Sequence, residues 1–221
     1  MVTAIVVAAG KSTRMGAGAD KAFMALASKP VVAWSLIAME RSKDVDEIVL
    51  VVRKDQLKAA EMLKKMFGIS KLKKIVQGGA KRSDSVQAGL KACDVDTTQV
   101  VIHDGARPLI TPELVSEVVK ASKKEGPMTV GRKLTDTIKK VDAGLIETTV
   151  DRDTMMAVQT PQVFPYGMLC KAYKQLKLKN VTDDAQVVEL FGEKVKIFET
   201  NQTNIKITTV EDLQLAAALL K

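Results

Sequence analysis

Short runs of apolar, often β-branched residues recur along this chain, and segments with helical spacing separate them. Five such runs occupy residues 3–7, 48–52, 75–76, 100–102 and 128–130. Their hydrophobicity is continuous rather than alternating, which is typical of strands covered on both faces. The alternation of strand and helix favours right-handed βαβ crossovers. The sequence therefore predicts an α/β fold, with a Rossmann-like, mostly parallel sheet flanked by helices.

Further elements follow from caps and periodicity, including Pro30 before one helix and the Thr111-Pro112-Glu113 start of another. Helices are predicted at 31–40, 56–66, 83–93, 111–122, 166–176, 183–191 and 210–220. Extended segments are predicted at 157–164 and 194–198.

Residues 134–150 break this rhythm, because two β-rich runs flank the turn signal Asp142-Ala143-Gly144. We expect a β-hairpin arm that protrudes from the sheet. A two-stranded hairpin is marginally stable alone, so a second subunit is a natural packing partner and a homodimer is expected. The chain shows neither an internal repeat nor a low-complexity linker, so residues 1–221 are predicted to form a single domain.

Composition narrows the class of protein. The chain has 221 residues, 46% hydrophobic, but no apolar run of the roughly 18 residues that a membrane span needs. No positive charge precedes the apolar stretch 1–9, so we expect a first strand rather than a secretory signal. The expected location is the cytoplasm, or a plastid-like stroma if the source organism has such organelles.

The net charge of +8 is compatible with nucleic acid or with small polyanions as partners. Aromatic residues make up only 4%, which provides no stacking platform for single strands, so small phosphates are favoured over nucleic acid. One histidine and two cysteines exclude a Cys/His zinc site. The thiols are expected to be spectators without a disulfide.

The loop after the first strand, residues 8–16, lies where open α/β sheets bind ligands. Small residues there let backbone N–H groups approach a triphosphate. Its polar donors are Lys11, Ser12, Thr13 and Arg14, with Lys21 beyond. The spacing matches neither a Walker A motif nor the dinucleotide glycine pattern, which argues against a dehydrogenase. The alternative is a glycine turn with solvent-facing charges.

Two further loops carry polar groups. Asp104 and Arg107, in His-Asp-Gly-Ala-Arg-Pro after the fourth run, suit Mg²⁺ and a phosphate or carboxylate respectively, although a local ion pair is an alternative. His103 is expected to be a hydrogen-bonded structural group. The Gly-Gly turn of residues 77–86 could lie against a flat base, with Ser85 reading its polar edge, or could be a plain connection.

Seven segments together resemble one family. They are AAGxSxRMG, GGxxRxxSV, HDGARP, Asp151-Arg152, QTPQxF at 159–164, TDDA at 182–185 and NIKIT at 204–208. In this order, from Ile5 to Leu213, they are similar to the 2-C-methyl-D-erythritol 4-phosphate cytidylyltransferases. The resemblance implies transfer of CMP from CTP to that polyol phosphate with release of pyrophosphate, Mg²⁺ as cofactor, and an arm that crosses a dimer. Lys21 is retained, although Asp20 and Ala22 beside it depart from the family's Pro-Lys-Gln.

The family's site residues carry over position by position. For catalysis the resemblance implies Arg14, Lys21, Arg152 and Lys206. For the nucleotide it implies Ala8, Ala9, Gly10, Lys11, Ser12, Gly79, Ser85 and Asp104, the last also as the metal ligand. For the polyol phosphate it implies Asp104, Arg107, Thr137, Arg152, Thr160 and Lys206, with Thr137 serving the partner subunit's site. Ribitol-5-phosphate as substrate, or a non-catalytic nucleotide sensor, are the alternatives; His-Asp-Gly-Ala-Arg-Pro favours methylerythritol phosphate over ribitol phosphate.

Overall fold

A computed structural model describes residues 1–10, 21–175 and 181–220. Its strands are β1 (Val2–Ala8), β2 (Ala25–Leu26), β3 (Lys29–Pro30), β4 (Glu47–Val52), β5 (Leu72–Gln77), β6 (Gln99–Asp104), β7 (Met128–Lys133), β8 (Ile138–Asp142), β9 (Leu145–Val150), β10 (Met156–Pro165) and β11 (Lys196–Glu199). Its α-helices are α1 (Val31–Arg41), α2 (Leu57–Met66), α3 (Arg82–Ala92), α4 (Pro112–Glu125), α5 (Tyr166–Gln175), α6 (Asp184–Leu190) and α7 (Val210–Leu219). Every element predicted from the sequence is present, and the short β2–β3 pair was not predicted.

Seven strands form the central sheet in the order β11-β7-β10-β6-β1-β4-β5. Strand β1 pairs in parallel with β4 on one side and β6 on the other. The chain therefore leaves the middle of the sheet in both directions, which opens a crevice beyond the carboxyl ends of these strands. The prediction of a Rossmann-like, mostly parallel sheet is confirmed.

Strand β10 is the exception, because it runs antiparallel to both β6 and β7. No α-helix separates β7 from β10, and without a helical crossover a neighbouring strand returns antiparallel. The register shifts between Gln159 and Gln162, around Thr160 and Pro161. Proline is tolerated inside a sheet at such irregularities, which also turn side chains in new directions. This irregularity places Thr160 beside the end of β6.

Hydrophobic packing covers both faces of the sheet. Ala4 and Val6 of β1 pack in a cluster with side chains of α1, α2 and α4. Ile5 and Val7 pack on the opposite face with α3, α5 and α6. Cys93 and Cys170, at the α3 and α5 side, are free thiols, as expected. Two-sided burial explains why the strand sequences are continuously apolar.

The β-hairpin predicted at 134–150 is present as β8 and β9, and among the described strands these two pair only with each other. Ala143 and Gly144 both have positive φ, 45° and 84°, as a two-residue turn of type I′ requires. Most of the hairpin is exposed, including Val141, Leu145 and Ile146. Among the described residues, no helix combines the length and apolar character that a membrane crossing requires.

Candidate functional site

A cleft lies at the carboxyl edge of the sheet, beyond β1 and β6. One half is lined by Ala8, Ala9, Gly10, Lys21, Gly79, Lys81 and Ser85, among others. The other half is lined by Arg107, Gln159, Thr160, Gln162, Thr182 and Asp183, among others. Arg82, Asp104 and Lys206 line both halves. These three charged residues therefore stand where the two halves meet.

The Asp104 carboxylate is held by two cations. Arg82 donates from Nε to Oδ1 at 2.9 Å, and Lys206 donates from Nζ to Oδ2 at 2.6 Å. Burial alone would raise the pKa of Asp104, but the positive charges and hydrogen bonds of Arg82 and Lys206 outweigh it and hold that pKa far below its usual value. Asp104 is therefore an anion at any physiological pH, with a lone pair left on each oxygen.

Lys206 is fixed by backbone contacts, although it lies outside helices and strands. Ile207 donates its N–H to the carbonyl of Ala106 at 2.8 Å. Arg107 donates from Nη1 to the carbonyl of Asn204 at 2.6 Å. Asn204 is itself buried and donates to the carbonyl of Thr160 at 2.7 Å. The loop after β6, the irregularity of β10 and the segment before α7 thus form one framework that aims Lys206 at Asp104.

His103 is fully buried behind the cleft. Its Nε2 lies 3.3 Å from the carbonyl of Arg107, an acceptor, so Nε2 carries the proton. Burial lowers the pKa of His103 to about 4, so the ring is neutral and Nδ1 accepts from the Thr160 hydroxyl at 3.2 Å. The Thr160 oxygen also accepts from the N–H of Asp104 at 3.1 Å. The structural role predicted for His103 is confirmed.

Stability is expected to fall as the pH is lowered from 7 to 5. Folding lowers the pKa of His103 from 6.5 to about 4. Between these two pH values the unfolded chain binds a proton at His103 and the folded chain does not. Linkage gives a loss of about 2 kcal/mol of unfolding free energy between pH 7 and pH 5. Urea unfolding at both pH values measures it.

His103→Gln is the control for that measurement. His103 is the single histidine of the sequence. The lowered pKa of Asp104 affects stability mainly below pH 3.8, the ordinary pKa of an aspartate. The stability of the variant should therefore change little between pH 7 and pH 5. An equal change of unfolding free energy with pH in the wild type and the variant would contradict the lowered pKa of His103.

The residues assigned to the nucleotide by resemblance divide into two groups. Ala8, Ala9, Gly10, Gly79 and Ser85 line the first half of the cleft with Asp104. Lys11, Ser12 and Arg14 lie outside the described residues. A Cβ at Gly79 would stand 2.3 Å from the Cβ of Asp84, so a glycine is needed where α3 begins. The Ser85 hydroxyl is committed within the turn: it accepts from the N–H of Gly79 and donates to the carbonyl of Lys81, both at 3.2 Å.

The residues assigned to the polyol phosphate also divide. Asp104, Arg107, Thr160 and Lys206 meet in the second half of the cleft. Thr137 and Arg152 lie at the base of the arm, both exposed, and neither lines this cleft in its own chain. Arg152 donates from Nη1 to the carbonyl of Thr135 at 2.5 Å. One chain therefore does not bring all six side chains together.

Sequence reasoning missed Arg82 and Asp184. Arg82 was visible in the GGxxRxxSV segment, but its partners are 22 and 102 residues away in the sequence, so no spacing pattern revealed them. Asp184 is fully buried and accepts from Arg82 Nη1 at 2.7 Å. Its position in the TDDA segment was the available signal. A buried carboxylate bonded to a cleft arginine belongs to the framework of the site.

Asp104 can act as a metal ligand only together with a substrate. Over the described ranges, no group of three Asp, Glu, His or Cys side chains could hold an ion unaided. Mg²⁺ is commonly held by one or two carboxylates while phosphates and waters complete the octahedron. The free lone pairs of Asp104 fit a Mg²⁺ held mainly by a triphosphate.

Comparisons with known proteins agree along the whole chain. The family model "IspD: 2-C-methyl-D-erythritol 4-phosphate cytidylyltransferase" matches residues 2–221. A protein of that name from Dehalococcoides mccartyi is 46% identical over 221 residues, covering 100% of this chain and 96% of the relative. Another, from Clostridium botulinum, is 39% identical, covering 98% of this chain and 96% of the relative.

Solved structures give the same picture. The crystal structure of 4-diphosphocytidyl-2C-methyl-D-erythritol synthase from Anaerococcus prevotii superposes with a TM-score of 0.87 at 32% identity, covering 99% of this chain and 95% of that one. The cytidylyltransferase from Thermus thermophilus gives a TM-score of 0.78 at 28% identity, covering 98% and 97%. Because the match extends over nearly the full length of each relative, this chain belongs to the 2-C-methyl-D-erythritol 4-phosphate cytidylyltransferase family.

Proposed function

We propose that the cleft transfers CMP from CTP to 2-C-methyl-D-erythritol 4-phosphate and releases pyrophosphate, the step that this family contributes to isoprenoid precursor synthesis by the non-mevalonate pathway. One observation carries the proposal: Arg82, Asp104 and Lys206 join a half of the cleft walled by small residues to a half that contains Arg107. A nucleoside triphosphate suits the first half, since the backbone is accessible there. A phosphorylated polyol suits the second half.

The chemistry requires cations more than a proton-transfer group. A phosphate oxygen of the polyol attacks the α-phosphorus of CTP, a new P–O bond forms, and the bond to the bridging oxygen breaks as pyrophosphate leaves. Two polyanions must approach each other, so the main obstacle is charge repulsion. We assign Lys21 and Lys206 to the charge that develops at the α-phosphate and Arg107 to the polyol phosphate. Arg14, outside the described residues, stays assigned to the triphosphate by resemblance.

Asp104 would hold Mg²⁺ through the lone pairs that Arg82 and Lys206 leave free. A bound Mg²⁺ would supply positive charge that offsets part of the negative charge of the phosphates. Arg82 and Lys206 keep the Asp104 carboxylate ionised and fix its orientation. The two lysines and Asp104 thus bind and orient the phosphates without any proton transfer.

The activity is tested by mixing the protein with CTP, Mg²⁺ and 2-C-methyl-D-erythritol 4-phosphate and measuring pyrophosphate release. A parallel reaction with ribitol 5-phosphate is the control for the second substrate. Rapid pyrophosphate release with methylerythritol phosphate, but not with ribitol 5-phosphate, supports the proposal. A folded, CTP-binding protein that releases no pyrophosphate with either substrate would refute it and would indicate a nucleotide sensor.

We also propose that residues 134–150 join two copies of the single domain into a homodimer. The outward side chains of this arm, Val141, Leu145 and Ile146, are 55%, 75% and 66% exposed. Three large apolar groups on an isolated hairpin favour burial against a second surface. A dimer would also bring Thr137 and Arg152 of one copy to the cleft of the other, which agrees with their absence from the cleft of their own chain.

The double variant Leu145→Lys/Ile146→Lys is expected to be monomeric and to lose at least about 10-fold in kcat/KM, because charges on the arm oppose its burial. Light scattering after size exclusion and the pyrophosphate assay measure the two effects. Val95→Lys is the matched control, since Val95 is 95% exposed in the loop before β6, at the opposite edge of the sheet. A dimeric arm variant with full activity would contradict the proposal.

For location we propose the cytoplasm. The curated relatives described above are bacterial, and none of them supports a plastid form. The partners proposed for the protein are CTP, a polyol phosphate and a second copy of the chain, with neither nucleic acid nor a membrane among them.

A further inference from the structure

A buried pair, Asp184 and Tyr173, lies behind the cleft and takes no part in the mechanism above. Asp184 begins α6 and is 0% exposed, while Tyr173 on α5 is 6% exposed. Neither residue lines the two halves of the cleft. A carboxylate out of water is costly unless it is paired and hydrogen-bonded, so this one must have compensating contacts.

Those contacts lead to the cleft through Arg82. Asp184 accepts from Arg82 Nη1 through Oδ2 at 2.7 Å and from the Tyr173 hydroxyl through Oδ1 at 2.5 Å. Burial and the negative charge of Asp184 raise the pKa of Tyr173 well above its usual value, so the phenol keeps its proton and remains a donor. Tyr173, Asp184, Arg82 and Asp104 form a continuous chain of hydrogen bonds.

A guanidinium group is planar, so two bonds on different nitrogens fix its plane. Nη1 of Arg82 is held by Asp184 and Nε by Asp104, at 2.7 Å and 2.9 Å. The third nitrogen, Nη2, is buried and has no hydrogen-bond partner among the described residues. The orientation of the guanidinium, and with it the bond from Nε to Asp104, therefore depends on the carboxylate of Asp184.

We propose that Tyr173 and Asp184 are positioning residues for the transfer reaction. They hold the Arg82 guanidinium so that its Nε fixes the Asp104 carboxylate where the two halves of the cleft meet. The measurement of kcat/KM for this inference rests on the proposed function. The measurement of CTP binding does not require turnover.

Tyr173→Phe is the decisive variant, because it removes one hydroxyl and keeps the ring. We expect kcat/KM to fall by about 10-fold and the Kd for CTP to rise several-fold, the scale typical of groups that act through a ligand-contacting residue. Tyr166→Phe is the matched control on the same helix: its hydroxyl donates to the carbonyl of Leu90 at 3.2 Å and does not contact the chain of hydrogen bonds. Unfolding curves for both variants separate stability from activity.

A double-mutant cycle tests whether the effect passes through Arg82. In an Arg82→Lys background the two-nitrogen contact is already lost, so Tyr173→Phe should then change the CTP Kd and kcat/KM by less than two-fold. Full additivity would overturn the proposal, as would an equal loss in Tyr166→Phe or a Tyr173→Phe variant indistinguishable from wild type. Wild type without turnover would refute the proposed function instead, and the CTP Kd values would still decide this inference.

Discussion

Lys206→Met is expected to lower kcat by about 10²–10³-fold, the usual effect of losing one donor at a developing charge. The Lys206 ammonium lies 2.6 Å from Asp104, where both halves of the cleft meet, and 36% of its side chain is exposed. Its charge can therefore shift to phosphate oxygens when the ligands arrive. Methionine keeps the length and most of the volume but removes the charge.

Steady-state kinetics with saturating CTP and polyol phosphate measure this loss, and circular dichroism confirms the fold. Lys196→Met is the matched control: this lysine is 55% exposed and pairs with Glu125 at 3.0 Å on the surface, so activity should not change. Lys206→Arg should recover only part of the rate, since a guanidinium spreads its charge over a larger plane. A Lys206→Met enzyme with more than a tenth of wild-type kcat would refute the role assigned to this residue.

Arg82→Leu is expected to reduce the free energy of unfolding by about 3–5 kcal/mol, because it leaves two carboxylates without a shared cation. Asp184 is completely buried, and the Asp104 side chain is only 9% exposed. The charges of these two carboxylates, which outweigh the effect of burial, raise the pKa of Arg82 above its usual range. Without Arg82, Asp104 keeps Lys206 and Asp184 keeps the neutral Tyr173 hydroxyl, so much of the desolvation cost of Asp184 is no longer compensated.

Arg53→Leu is a close control, since the Arg53 side chain has the same 26% exposure as that of Arg82 but bonds an aspartate that is 61% exposed. Surface pairs of this kind contribute little to stability, because water screens their charges. Urea unfolding compares the two variants. The double variant Arg82→Leu/Asp184→Leu should be more stable than additivity predicts, because it removes the stranded anion with its partner. Equal effects of Arg82→Leu and Arg53→Leu would contradict the account.

Local sequence patterns were sufficient for most of the architecture. Runs such as 48–52 are apolar on both faces, and the Asp142-Ala143-Gly144 signal marks a turn that needs two positive φ angles. The antiparallel direction of β10 was not predicted. The relevant signal is the lack of an α-helix between 130 and 157, because a parallel neighbour is usually reached through a helical crossover.

The sequence analysis named charged residues that the structure places in the cleft, but it missed the buried contacts behind them. Asp104, Arg107 and Lys206 were identified because their loops follow strands or match family segments, and the structure brings them together. The bond between Arg82 and Asp184 was missed because it depends on two positions 102 residues apart. Pair contacts of that kind depend on tertiary packing, which no local pattern contains.

Hydroxyl groups expose a second limit of sequence reasoning. Ser85 and Thr160 were assigned to ligands by resemblance, yet each oxygen accepts from a backbone N–H and each proton is donated inside the protein. A residue type shows which hydrogen bonds are possible, but only the surrounding atoms determine which are made. Both residues shape the cleft wall whether or not they touch a ligand.

Two ion pairs of the cleft depend on residues that come late in the sequence. The bond from Arg82 to Asp184 and the bond from Lys206 to Asp104 each span 102 residues. During synthesis, Asp104 follows Arg82 after 22 residues, whereas Lys206, its second cation, follows only 102 residues later. Closing such wide loops costs entropy that only the finished sheet repays. The three charged residues that join the two halves of the cleft can therefore meet only after Lys206 has been synthesised, 102 residues after Asp104.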